Sequence, residues 1–282
     1  MVNYFLPKSH LTAKQLHSLL ASGRFSDLHF KIKEGYLLTN DGQSQLSRLE
    51  REQTSAAKLG SAANFATVLA RFVPYIRTVA VTGSVAYGSA EKWDDIDLFI
   101  VTDRKRLWVS AFLALVLVRV NKLLSRRAPH LSTFCLSYVH DEQGFSEESQ
   151  RNRTNSLFAR ELLKAKPVAG TREYRRLLED NAWVGEFFSA SYSEKMRDLD
   201  GGLDGATNLG DSENAQFSFF LDWVEGVAYI ALSRYLRLRA YLTNLKLKSE
   251  GEQLRVFEPI ITSASCVYTS NFYRWLRALW GE

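Results

Sequence analysis

Apolar positions along the chain alternate between two periods, and the changes of period outline the elements. Leu16, Leu19 and Leu20 stand at helical spacing and predict a helix over about 11–20. Phe30-Lys-Ile-Lys33 and Tyr36-Leu-Leu-Thr39, separated by Glu34-Gly35 and followed by Asn40-Asp41-Gly42, predict a hairpin. Phe65, Val68, Leu69 and Phe72 then mark one face of a helix that Pro74 stops. Strands are expected at Thr78–Thr82, at Asp95–Val101 and at Leu131–Val139, with a helix on the apolar run Leu107–Val118. Strands alternating with helices imply an α/β core.

Beyond residue 146 the pattern is helical. Helices are expected over Glu147–Lys166, Thr171–Phe188, Gln216 to about Lys246, and Tyr268–Trp280, with a glycine-rich loop over 200–210. The stretch from Gln216 is apolar nearly all round, which predicts a central packing element. The resulting division is an N-terminal helix-hairpin appendage (1–50), an α/β (α+β) domain (51–145) and an α-helical region (146–282). The appendage resembles a cut-down winged helix without room for a recognition helix, so duplex DNA binding is not expected of it.

Composition changes this picture little. The chain has 282 residues, 46% hydrophobic and 24% charged, and a net charge of +5 that suits anionic partners such as nucleotides or nucleic acid. Cys135 and Cys266 match no metal or redox spacing, which fits a reducing, cytoplasmic setting. Residues 1–11 lack the apolar centre of a secretory signal. The twelve residues Leu107–Val118 would span only about 18 Å as a helix, so no membrane association is expected.

The candidate chemistry lies in one segment, Thr78-Val-Ala-Val-Thr-Gly83-Ser84 through Asp94-Asp95-Ile96-Asp97-Leu98. On a strand Asp95 and Asp97 project from one face about 6.7 Å apart, while Ile96, Leu98 and Ile100 face a core. Two such carboxylates suit a hard divalent cation, Mg2+ or Mn2+. Gly83 at a strand exit lets backbone approach a phosphate, and Ser84 adds a hydroxyl.

Gly-Ser, a ten-residue gap, and Asp-hydrophobic-Asp-hydrophobic resemble the polymerase-beta-like nucleotidyltransferase superfamily. More loosely, the chain is similar to prokaryotic proteins that join a small winged-helix-like start, this domain and a helical tail. Leu107-Trp108, Pro167 and Asn181-Ala-Trp183 fall at matching places. The resemblance implies metal on Asp95 and Asp97, a nucleoside triphosphate held at Gly83 and Ser84, and transfer of its monophosphate to a nucleic acid, protein or small-molecule acceptor. It also implies a third carboxylate on a neighbouring strand. Leu131–Val139 carries no acid; Asp141 and Glu142 lie just beyond it, Glu91, Asp94 and Asp103 are the other nearby choices, and Asp141 is the favoured third catalytic carboxylate. If no third acid exists, the alternative is a degenerate nucleotide-binding regulator or antitoxin-like module. His140 and Arg104-Lys105-Arg106 are secondary candidates near the site. Arg234, Arg237 and Arg239 are expected to be surface pairs, and Trp183 and Trp223 core.

Overall fold

A computed structural model describes residues 18, 30–33, 36–39, 45–125, 132–201, 218–249 and 256–268. The helix expected over 11–20, the Asn40-Asp41-Gly42 turn, most of the glycine-rich loop and most of the 268–280 helix lie outside these residues. The hairpin forms as expected, with β1 (Phe30–Lys33) antiparallel to β2 (Tyr36–Thr39).

Helix α1 (Gln45–Phe72) is far longer than the Phe65–Phe72 face that announced it, and it crosses residues 50 and 51 without a break. Its far end packs Ala62, Phe65, Ala66 and Leu69 into the core. Next come β3 (Ile76–Thr82), the single turn α2 (Gly83–Ala86), β4 (Ile96–Thr102), α3 (Leu107–Ser125) and β5 (Phe134–Asp141). After them follow α4 (Glu142–Arg151), α5 (Ser156–Lys164), β6 (Lys166–Ala169), α6 (Thr171–Glu179), α7 (Val184–Phe187) and α8 (Ser189–Gly201). The described chain ends with α9 (Ser218–Ser249), β7 (Ile260–Ile261) and β8 (Ser265–Val267).

Six strands form one mixed sheet in the order β6-β3-β4-β5-β8-β7. Only β4 and β5 run parallel among these neighbours; the other pairs are antiparallel. Strand alternation divides the buried side chains between two helical layers. Ile96, Leu98 and Ile100 of β4 join α1, α3 and α9 on one face, as their spacing predicts. Phe99 and Val101 face the other way, into a second core built by α4 to α8 with Tyr174, Leu178 and Trp183. Asp97 shares the parity of Phe99 and Val101. The acidic face of β4 is therefore the rim of a second buried layer, not an open surface.

Several expectations for the helices need correction. The span Glu147–Lys166 is two helices, α4 and α5, running into β6, and Thr171–Phe188 is broken into α6 and α7; β6, β7 and β8, from the region expected to be helical, join the sheet. Helix α3 has 19 residues, not twelve, and by length and composition alone it is apolar enough to cross a membrane. In this fold it lies against β5 and α9, burying Leu107, Trp108, Ala111, Ala114 and Val118 while Phe112, Val116 and Leu123 stay exposed. Among the described residues helix α9 packs one side, through Ala228, Leu232, Leu236 and Ala240. Trp223, expected in the core, is 63% exposed, and Phe220, Ile230 and Leu238 are exposed with it. Helical periodicity alone does not say how many sides of an apolar helix meet a neighbour. Trp183 is buried as expected.

Candidate active site

The end of β3 and the starts of β4 and β5 meet at one end of the sheet, and the site is built there. β3 delivers Gly83 in the left-handed conformation, with φ of +66°. A Cβ at that position would stand 2.5 Å from Asp97 Oδ2. Glycine is required twice over, by backbone angle and by close approach to the carboxylate. The two halves of the motif, distant in the chain, are thus in direct contact.

The Ser84 hydroxyl donates to Asp94 Oδ2 at 2.8 Å, and the Glu91 amide donates to the same oxygen at 3.0 Å. Ser84 thereby ties the turn to the loop that leads into the acids. That loop is gripped from behind by one face of α1. Arg51 pairs with Glu91 at 2.5 Å, Ser55 Oγ accepts from the Ala90 amide at 3.0 Å, and the Lys58 ammonium donates to the carbonyls of Glu91, Lys92 and Asp94. Positions 51, 55 and 58 follow the i, i+4, i+7 spacing of one helix face. This polar stripe was the overlooked sequence signal, because α1 was sought only through its apolar residues.

Asp95 and Asp97 are each anchored through one oxygen: Asp95 Oδ1 accepts from Thr133, and Asp97 Oδ1 accepts from Ser137 at 2.6 Å. Burial pushes the Asp97 carboxyl up; the Ser137 hydroxyl opposes this, and the charges of Asp95 and Asp94 add to it. Like charges held together this way favour a cation between them. Among the described residues no three His, Cys, Asp or Glu side chains are grouped to hold a metal. The donor set nevertheless fits a magnesium-like ion, which is held by one or two carboxylates with substrate phosphate oxygens completing its shell.

Ser137 occupies the place where a third acid was sought. The β4–β5 register slips by one residue between Leu98 and Phe99, so Leu136 and Tyr138 have β4 partners and Ser137 is the extra residue between them. Its hydroxyl meets Asp97 from the neighbouring strand. Asp141 is not near them. It closes β5 opposite Thr102, at the other end of the sheet, about 20 Å along the strand from Cys135, the partner of Asp97. Buried to 2% exposure, Asp141 caps α4 by accepting from the Gly144 amide at 2.7 Å, and it accepts from the Lys105 amide at 2.9 Å. The expected third catalytic carboxylate is thus a helix cap, because β5 runs two residues further than its apolar pattern indicated.

His140 and the Arg104-Lys105-Arg106 group lie at that same far end. His140 is buried against Ser265 Oγ at 3.1 Å, and burial lowers its pKa to about 4. Arg106 pairs with Asp222 at 2.7 Å, and Arg104 donates to Gln143 at 3.0 Å.

A cavity of about 350 Å³ opens over the acids, and Gly83, Asp95, Asp97, Ser137, Glu161 and Arg239 are among its lining residues. Arg239, expected as a surface pair, is brought here by α9 and lies over the Tyr268 ring, 4.9 Å from its centroid. Phe257 and Tyr268, whose rings stack at 5.5 Å, complete an aromatic wall.

With strand exit, acid pair and facing glycine in place, the comparison with known families is informative. Residues 63–163 match the family described as nucleotidyltransferase domain. This segment is a polymerase-beta-like nucleotidyltransferase domain. The matched span begins inside α1, runs past residue 145 and ends within α5, so this nucleotidyltransferase domain takes part of the second helical layer with it. Its family generally uses divalent metals and nucleoside triphosphates. No curated protein and no solved structure matches the chain significantly.

Proposed function

We infer that the protein transfers a nucleoside monophosphate from a nucleoside triphosphate to an acceptor hydroxyl, with release of pyrophosphate. One observation carries this reading: the left-handed Gly83 pressed against Asp97 Oδ2, which holds the strand-exit turn beside two carboxylates on one cavity. The triphosphate would lie along the Gly83-Ser84 turn, with Arg239 available to its charge at the cavity wall. A magnesium or manganese ion on Asp95 and Asp97, when bound, supplies electrostatic stabilisation of the charge that builds on the phosphoryl oxygens.

The chain's own residues position the parts. Thr133 and Ser137 fix the two carboxylates, and Arg51, Ser55 and Lys58 hold the loop before them. Tyr268 and Phe257 offer an aromatic wall for a base. Acceptors in keeping with this site are a nucleic acid end, a protein side chain or a small molecule.

A second reading has a specific observation behind it. Ser137 faces Asp97 where a third acid was sought, which favours a nucleotide-binding regulator without turnover. One experiment separates the two. The protein is incubated with each α-phosphate-labelled triphosphate and magnesium or manganese, and the label is followed into protein, RNA and small-molecule fractions. Divalent-dependent label in any fraction is expected. A thermal melt that shifts with metal and triphosphate, but without label, supports the regulator. Neither shift nor label rejects both.

A further inference from the structure

We propose that Glu161 is the third carboxylate of the site, supplied by a helix of the second layer instead of a neighbouring strand, and that it takes the proton of the acceptor hydroxyl. The inference rests on the nucleotidyl-transfer reading and names the group that reading lacks.

Topology places Glu161 there. Strand β6 begins at Lys166 opposite Val81, at the site end of β3, so the last turns of α5 just before it arrive beside the Gly83 turn. Ala159, Leu162 and Leu163 of α5 are buried in the second core, which fixes the rotation of the helix. Glu161 then lines the same cavity as Gly83, Asp95 and Asp97. A half-buried carboxylate is costly to keep in an otherwise apolar layer unless it is held or used. Among the described residues it is held through one oxygen: the Tyr87 hydroxyl donates to Glu161 Oε1 at 2.6 Å, and Arg160 lies 3.6 Å from the same atom. Oε2 is the atom left for a proton. Tyr87 belongs to the Gly83-Ser84 segment, so the phosphate-binding turn and Glu161 are positioned by one another.

Burial pushes the Glu161 carboxyl up; Tyr87 and Arg160 oppose this and Asp97 adds to it. Tyr174, from α6, is the other titratable group that senses its charge. A carboxylate raised in this way is a better proton acceptor near neutrality than an exposed one. In the step, the acceptor oxygen bonds to the α-phosphorus, its proton passes to Glu161, and the bond from the α-phosphorus to the bridging oxygen breaks as pyrophosphate departs. Ser137, a neutral hydroxyl already donating to Asp97, cannot serve as that base.

The test compares wild type, Glu161→Gln, Glu161→Asp and Tyr87→Phe in the labelled-triphosphate assay, with thermal melts in manganese plus triphosphate. Glu161→Gln is expected to lose about 100-fold or more in transfer, the usual range for a general base. It should keep the wild-type melting shift, because the glutamine leaves metal and nucleotide binding in place. Glu161→Asp should recover part of the rate, and Tyr87→Phe should lose only several-fold. The wild-type rate should rise with pH above the ordinary glutamate range, and that limb should vanish in Glu161→Gln. Transfer by Glu161→Gln within about twofold of wild type overturns the proposal, as does loss of its melting shift, which would make Glu161 a ligand. A wild-type protein that neither shifts nor transfers removes the underlying reading, and the proposal with it.

Discussion

The two ends of the central sheet carry acids of similar kind in opposite circumstances. At one end Asp95 and Asp97 are each held by a single hydroxyl, border a cavity of about 350 Å³ and repel one another. At the other end Asp141 is buried, with two backbone amides on it, and His140 beside it is enclosed and bonded to Ser265. An acid whose oxygens are filled by main-chain donors closes a structure. An acid pair left partly satisfied, with like charges adjacent, stores unfavourable energy that a cation and a phosphate can release. Position in the sequence does not separate these cases, since Asp141 closes its strand and Asp95 stands immediately before its own.

Substitutions should break the comparison cleanly. The largest effect is expected for Asp95→Asn with Asp97→Asn, which should abolish transfer, by at least about a thousandfold, while the protein stays folded. Without metal the double variant should melt slightly higher than wild type, because the amides remove a buried charge and a repulsion. Unfolding of this variant in a thermal scan would make the pair structural, and unchanged transfer would displace the site.

Acid should affect the two ends in opposite senses. The folded pKa of His140 is lowered to about 4 from an ordinary 6.5, so the unfolded chain takes up the proton first. Stability is therefore lost as pH falls from about 6.5 towards 4, by up to roughly 3 kcal/mol. Asp97 is raised, so the folded chain takes up its proton first and gains stability as pH falls through that raised value. Urea melts from pH 7 to pH 4.5 should show a net loss in wild type. In His140→Gln that loss should shrink or reverse, and an unchanged pH slope would remove His140 as its cause.

Asp141→Ala sharpens the contrast at a smaller scale. It removes a cap and leaves two amide donors unpaired, a cost of about 1–3 kcal/mol read from denaturant melts. At a temperature where the variant is folded, transfer should remain close to wild type. A selective loss of transfer with unchanged stability would restore Asp141 to the chemistry.

The acid pair was legible because a two-residue strand period forces Asp95 and Asp97 onto one face, and Gly83 because a sharp turn at a strand exit calls for glycine. These are local constraints, carried by covalent geometry and a handful of neighbours. The hairpin, the three central strands and the stop at Pro74 were readable for the same reason. Glu161 and Arg239 could not be read this way. Their spacing is that of any helical surface residue, and only the antiparallel docking of β6 on β3 and the packing of α9 along α3 bring them to the cavity. Asp141 was misplaced because the end of a strand depends on which partner continues the ladder, here Thr102 of β4. Trp223 was assigned to the core because hydrophobicity is a property of the residue, whereas burial is a property of what lies opposite. By itself the sequence determined the pair of carboxylates and the turn that faces them. The tertiary structure alone decided which distant side chains complete that site, because their approach is set by packing between layers and not by any period along the chain.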